Sequence, residues 1–232
     1  MSEFLLVHGT GHGAWCWRDV IPELARLGHH VRAIDLPCHG EDQTPIADAS
    51  LGNYARAILD ALEVPTIVVG HSMGGFPITQ AACLQPDNIR HLVYLCAYVP
   101  APKTCLVEMR KDWPEQPLAN AFEVAADRQS FRFKPDLIQD RLYQDCPEVV
   151  EFSRDHLCDE PMAPSMTAIS GWHKVPSSYI RCTKDRAIPP AYQAKMAKGC
   201  DARFDIDTGH SPFFADPAGL AALLDRISAG LT

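Results

Sequence analysis

The sequence predicts an α/β protein: a doubly wound, mostly parallel sheet of about six strands, interrupted once by a mainly helical insertion. Three observations predict it. Six short runs rich in β-branched and apolar residues alternate with helical patterns, the arrangement that crossover helices impose on a parallel sheet. Several runs are apolar nearly throughout, as in Ile67-Val68-Val69 and Leu92-Val93-Tyr94-Leu95, so both sheet faces are expected to be covered. Residues 100–176 then break the alternation, with nine of the 19 prolines and no strand pattern.

The expected strands are residues 4–8, 31–36, 66–70, 91–97, 178–183 and 203–207. The first helix is expected over 17–27, ending at Gly28, a natural C′ residue. Ser50 is an N-cap type, followed by Leu51, Tyr54, Ile58 and Leu62 at helical spacing. Further helices are expected over 72–84, 191–197 and 217–228. Frequent proline limits residues 100–176 to short helical pieces, and a structureless linker of that length is improbable inside a compact chain. The expected division is a core of residues 1–99 and 177–232 with a lid at 100–176.

Composition narrows the function. Of 232 residues, 47% are hydrophobic, which excludes intrinsic disorder. The 29 acidic residues against 21 basic ones give a net charge of −8, which offers no basic stripe for nucleic acid. No run approaches the roughly 18 apolar residues of a membrane span. The start, Met1-Ser2-Glu3-Phe4-Leu5-Leu6, has no cationic n-region, so a cytoplasmic location is expected. Nine scattered cysteines with no Cys-x-x-Cys pair point to reduced thiols and to neither disulfides nor a metal site.

Gly70-His71-Ser72-Met73-Gly74 matches Gly-x-Ser-x-Gly, placed after a strand pattern and opening a helix pattern. That context is what a nucleophile elbow requires. Ser72 is therefore the expected nucleophile, with Gly70 and Gly74 avoiding the clashes that a Cβ would create in so tight a turn. The residue after it, Met73, is expected to supply one backbone N–H to an oxyanion hole, and the glycine-rich loop His8-Gly9-Thr10-Gly11-His12-Gly13 the other. That loop has neither Gly-x-Gly-x-x-Gly spacing nor a Walker lysine, so nucleotide binding is set aside.

A serine hydroxyl needs a base. With the chain order Ser, acid, His, the candidates are His91, His156, His173 and His210. His91 starts a strand, at the wrong end of the sheet, and His156 and His173 fall in the insertion. His210 follows the last strand at the correct edge and is the expected base. Asp185, just beyond the fifth strand, is the expected acid; Asp207 is read as a loop residue. No cofactor is expected.

Residues 4–17, 35–40 and 70–75, with Asp185 and Gly209-His210, together resemble the α/β-hydrolase superfamily. Val7-His8-Gly9-Thr10-Gly11-His12-Gly13-Ala14-Trp15 is similar to the opening of its plant-type methylesterase and hydroxynitrile lyase branch. The resemblance fades between about 102 and 176. It implies a sheet lacking the first two strands of larger relatives, and Thr10 N–H as the oxyanion partner of Met73. Lyase members carry a threonine where Gly9 stands and a lysine where Ser211 stands, so the likeness is to the esterases.

The expected reaction is hydrolysis of a small to medium carboxylic ester through an acyl-enzyme. Gly9, His12, Trp113 and Phe213 are the expected substrate contacts, and a small-molecule ester the expected partner, with no nucleic acid and no membrane, and with a homodimer left open. Carbon–carbon hydrolysis, lyase or cofactor-free peroxidation chemistry on the same residues stays open, as does a receptor-like binding role.

Overall fold

The computed structural model describes residues 1–231. Its strands are β1 (Glu3–Val7), β2 (His30–Ile34), β3 (Thr66–His71), β4 (Ile89–Leu95), β5 (Phe122–Val124), β6 (Ser130–Phe133), β7 (Glu160–Pro161), β8 (Ser177–Cys182) and β9 (Ala202–Ile206). The α-helices are α1 (Val20–Arg26), α2 (Leu51–Asp60), α3 (Gly75–Leu84), α4 (Leu106–Lys111), α5 (Ile138–Leu142), α6 (Val150–His156), α7 (Met162–Met166), α8 (Pro190–Met196), α9 (Pro212–Ala215) and α10 (Pro217–Ala229).

Six strands form one parallel sheet in the order β2-β1-β3-β4-β8-β9. Alternate residues of each strand enter two separate cores. Leu5, Val7, Val68 and Leu92 pack on one face, and Phe4, Leu6, Ile67 and Val93 on the other. Both cores exclude water, which is why the strands read as apolar without alternation. The chain leaves β1 for β2 on one side and returns on the other with β3. That reversal opens a crevice at the carboxyl ends of β1 and β3, where ligands bind in such sheets.

The strand ends lie within two residues of expectation, but the first helix does not. A 3-10 turn spans Ala14–Trp17, and α1 begins only at Val20. Pro22 has no N–H, so a helix running through it from residue 17 would lose a ladder bond; within the first turn the loss is harmless. The C-terminus behaves as expected. Gly28 N–H donates to Ala25 O at 3.0 Å and His29 N–H to Leu24 O at 3.1 Å, a Schellman motif. Ser50 Oγ accepts from Asn53 N–H at 3.1 Å and caps α2.

The segment between β4 and β8 differs from the strand-free reading. It holds α4 to α7, but β5, β6 and β7 form a three-stranded antiparallel sheet of their own. These strands are four residues long at most, and β7 is a two-residue strand containing Pro161. Such strands are too short to show period-two alternation, and proline confines β7 to an edge. No helix among the described residues is long and apolar enough to cross a membrane.

Candidate active site

The strand β3 ends at His71, and the chain turns through Ser72–Gly74 directly into α3. Ser72 takes φ +55°, a left-handed conformation that costs a non-glycine residue on the order of 1–3 kcal/mol. The surroundings hold it there. A Cβ on Gly70 would lie 2.6 Å from Gly74 O, and one on Gly74 would lie 2.6 Å from His8 O. The strand, the turn and the β1 loop therefore touch backbone to backbone, and the strained turn presents the Ser72 hydroxyl at the sheet's carboxyl edge.

His210, in the loop after β9, lies with Nε2 3.1 Å from Ser72 Oγ. Its Nδ1 lies 2.7 Å from Asp185 Oδ2, just beyond β8. An ionised carboxylate only accepts, so the imidazole proton is assigned to Nδ1, leaving the Nε2 lone pair for the serine proton. All three side chains are buried. Asp185 is itself held on every side. Its Oδ1 accepts from Ala187 N–H at 2.6 Å and Ile188 N–H at 2.9 Å, and its Oδ2 from Gln193 Nε2 at 2.8 Å. Gln193 is locked in turn, since its Oε1 accepts from Cys182 N–H at 3.0 Å.

The other sequence candidates lie elsewhere. His91 contacts Ser178 Oγ at 2.8 Å, His156 stacks on Phe152, and His173 stacks on Trp172. Asp207 pairs with Lys184 at the surface.

Ser72 and His210 open into a hollow of about 380 Å³, counting its open mouth. Thr10, His12 and His71 line it on the core side, and Leu118, Phe122 and Phe133 from the β4–β8 segment. Met73, in the turn before α3, is buried beside Ser72. Of the four expected substrate contacts, His12 lines the hollow. Gly9 lies beneath it, where a Cβ would sit 2.9 Å from Ser72 Cβ and 2.8 Å from His71 Nδ1. Phe213 is fully buried against Trp17 and His71 and does not line the hollow; its apolar ring fills the core behind the site. Trp113 stacks on Tyr192 and lines an adjoining hollow instead.

His12 and His71 are neutral scaffolding. Burial first, then the nearby His210, pushes the His71 imidazole well below its usual value, and its Nε2–H donates to His210 O at 2.8 Å. Burial lowers His12 to about 4, against the opposing pull of the Thr10 carbonyl that its Nδ1–H donates to at 2.8 Å. The phenol of Tyr143 donates to His12 Nε2 at 2.8 Å, so the β4–β8 segment helps to fix the β1 loop.

Ligand atoms of His71, Cys96 and His210 lie within 4.8 Å of one another. They do not fit a metal. Both His210 nitrogens and His71 Nε2 are already hydrogen-bonded, and burial, then Cys182, drives the Cys96 thiol well up, so it keeps its proton.

Sequence reasoning assigns no role to four residues of this framework: His71, Gln193, Asp145 and Glu160. The carboxylate of Asp145 accepts from Gly209 N–H and pins the loop before His210. Glu160 Oε2 accepts from Gly11 N–H at 2.8 Å and lies 3.0 Å from His39 Nε2. His71 alone carries a cue, its place inside Gly-x-Ser-x-Gly.

Comparison with known proteins agrees with this architecture. The model of a family described as "Alpha/beta hydrolase family" matches residues 4–223. Methylesterase 1 of Arabidopsis thaliana is 31% identical over 253 residues, covering 98% of this chain and 96% of its own length. Norfluorocurarine synthase 1 of Strychnos nux-vomica is 28% identical, covering 98% of this chain and 95% of its own length. A crystal structure of a methylesterase protein from Arabidopsis superposes with a TM-score of 0.85 at 26% identity, covering 99% of each chain. Fold, sequence and the matched span agree that this chain belongs to the alpha/beta hydrolase family and resembles its plant methylesterase branch.

Proposed function

We propose that the protein is a serine hydrolase that cleaves small to medium carboxylic esters through an acyl-enzyme. The observation that carries the reading is the continuous hydrogen-bonded chain from Ser72 Oγ through His210 to Asp185, at 3.1 and 2.7 Å. Similarity to plant methylesterases supports it.

In the proposed reaction His210 Nε2 takes the Ser72 proton as Oγ bonds to the ester carbonyl carbon. The N–H groups of Thr10 and Met73 hold the oxyanion, aided by the positive end of α3. The tetrahedral intermediate collapses, the imidazolium gives its proton to the departing alkoxide, and an alcohol leaves. Water then attacks the acyl-serine, with His210 as base, and the acid is released. Asp185 holds the imidazole in the Nδ1–H tautomer and stabilises the imidazolium. The segment between β4 and β8 serves as the lid.

A fluorophosphonate probe tests the reading together with turnover of a nitrophenyl ester. The expected result is stoichiometric labelling at Ser72 together with steady-state turnover. Labelling without turnover identifies a receptor-like binding protein instead.

The acid limb of the pH profile should be that of one proton. The base must offer a free lone pair to the serine proton, so kcat/KM falls as pH falls. Burial lowers both neighbouring imidazoles, His12 to about 4 and His71 well below its usual value, so neither is expected to add a second proton near neutral pH. A logarithmic slope of one is expected; a slope of two near neutral pH would mean that His12 or His71 also titrates in the reaction.

A further inference from the structure

The hollow at Ser72 carries one permanently charged side chain among the described residues that line it, Arg110 on α4. Arg110 also lines a second hollow of about 300 Å³, formed with Trp113, Gln116 and Tyr192, and Tyr98 and Leu118 border both spaces. Arg110 therefore borders both the hollow at Ser72 and the second one. The guanidinium carbon lies 4.6 Å from the centre of the Phe122 ring, which fixes its plane without neutralising it.

The acids closest to it along the chain are engaged elsewhere. Glu108 Oε2 accepts from Cys105 N–H at 3.1 Å as part of the α4 capping box, and Asp112 pairs with Lys195 at 2.9 Å. Glu115 borders the second hollow from an exposed position. Among the described residues, no ion pair of Arg110 with a carboxylate is present. A half-buried guanidinium beside apolar walls, with its fork unoccupied, matches a planar carboxylate in shape and charge.

We propose that Arg110 is a specificity-determining residue and that the substrates are esters whose acyl part ends in a free carboxylate, the half-esters of dicarboxylic acids. This assignment rests on the ester-hydrolase reading of Ser72. The ester carbonyl sits at Ser72 and Thr10, the acyl chain runs between Leu118 and Phe122, and the distal carboxylate meets the Arg110 fork.

The test compares monomethyl adipate with its neutral counterpart, dimethyl adipate, in the wild type, Arg110→Gln and Arg110→Lys. A lost charge-assisted hydrogen-bonding pair should reduce kcat/KM of Arg110→Gln on the half-ester by about 10- to 100-fold, mainly through KM. The diester should change by less than about threefold on the same reasoning, and Arg110→Lys should recover part of the loss. An equal change on both esters, or none on either, overturns the assignment.

Binding of adipate itself, measured by calorimetry, reads the same contact without turnover. Binding weakened about 10- to 100-fold in Arg110→Gln is expected. Equal affinity for both proteins overturns the assignment whatever the kinetics show. If the wild type hydrolyses neither ester but binds adipate through Arg110, the hydrolase reading falls and the carboxylate site stands.

Discussion

Ser72→Ala is expected to reduce turnover of a nitrophenyl ester by on the order of 10⁶-fold, the scale seen when the nucleophile of another serine hydrolase is removed. In the proposed reaction the hydroxyl is the atom that bonds to the carbonyl, so no other group on the elbow can replace it. Cys96, which donates weakly to His210 O at 3.5 Å, holds its proton because burial drives its thiol well up. Asp185→Asn should cost about 10⁴-fold, because an amide at that site favours the wrong imidazole tautomer. Ser72→Ala should keep the wild-type melting curve to within a few degrees, since it nearly preserves volume, whereas Asp185→Asn removes a buried acceptor facing Gln193 Nε2 and His210 Nδ1 and should lower it further. Single-turnover rates and thermal unfolding measured together give the answer: a Ser72→Ala protein with wild-type turnover would remove Ser72 from the mechanism.

Glu160→Ala should produce the largest loss of stability, about 3–5 kcal/mol, the usual cost of removing one member of a buried ion pair. Glu160 and His39 are at most 1% exposed. Burial alone opposes a charged imidazole, but the Glu160 carboxylate, its hydrogen bond and the Pro37 carbonyl outweigh it, so His39 is raised above the usual histidine value. Truncation strands that group and leaves Gly11 N–H without its acceptor. Because Glu160 Oε1 itself has no hydrogen bond among the described residues, the lower end of the range is expected.

The raised value also sets the sign with pH. The pair's contribution is full below the ordinary histidine value and is lost as pH rises through the raised value of folded His39. Urea unfolding at several pH values checks both statements. A loss under about 1 kcal/mol, independent of pH, would show that the pair contributes no more than an exposed one. Glu160→Gln, which keeps an acceptor for Gly11 N–H, should fall between wild type and Glu160→Ala.

Legibility followed the range of the interactions involved. Ser72 can be read because strand, turn and helix are contiguous, and the close approach at Gly70 and Gly74 is a local necessity. His210 and Asp185 can be read because a parallel sheet places every strand's carboxyl end on one edge, so position along the chain implies position in space. Phe213 marks where that inference stops. The short helix α9 begins at Pro212, just after the His210 loop, and the Phe213 ring turns into the core behind His71. Chain position gave the right neighbourhood and not the direction of the side chain.

The sequence by itself determined the mostly parallel sheet and the tight turn after β3, and it singled out Ser72, Asp185 and His210, which the fold brings together. These follow from short-range periodicity and from one topological rule. Only the tertiary structure decided how residues from the β4–β8 segment close on the crevice: Glu160 on Gly11, Tyr143 on His12, Asp145 on Gly209, and Arg110 on the border of two hollows. Each of those contacts joins residues at least 64 positions apart along the chain, or, for Arg110, depends on walls drawn from several elements. No local pattern encodes such a partner, because a single polar side chain in a short, proline-broken element looks the same in sequence whether it faces solvent or a buried amide.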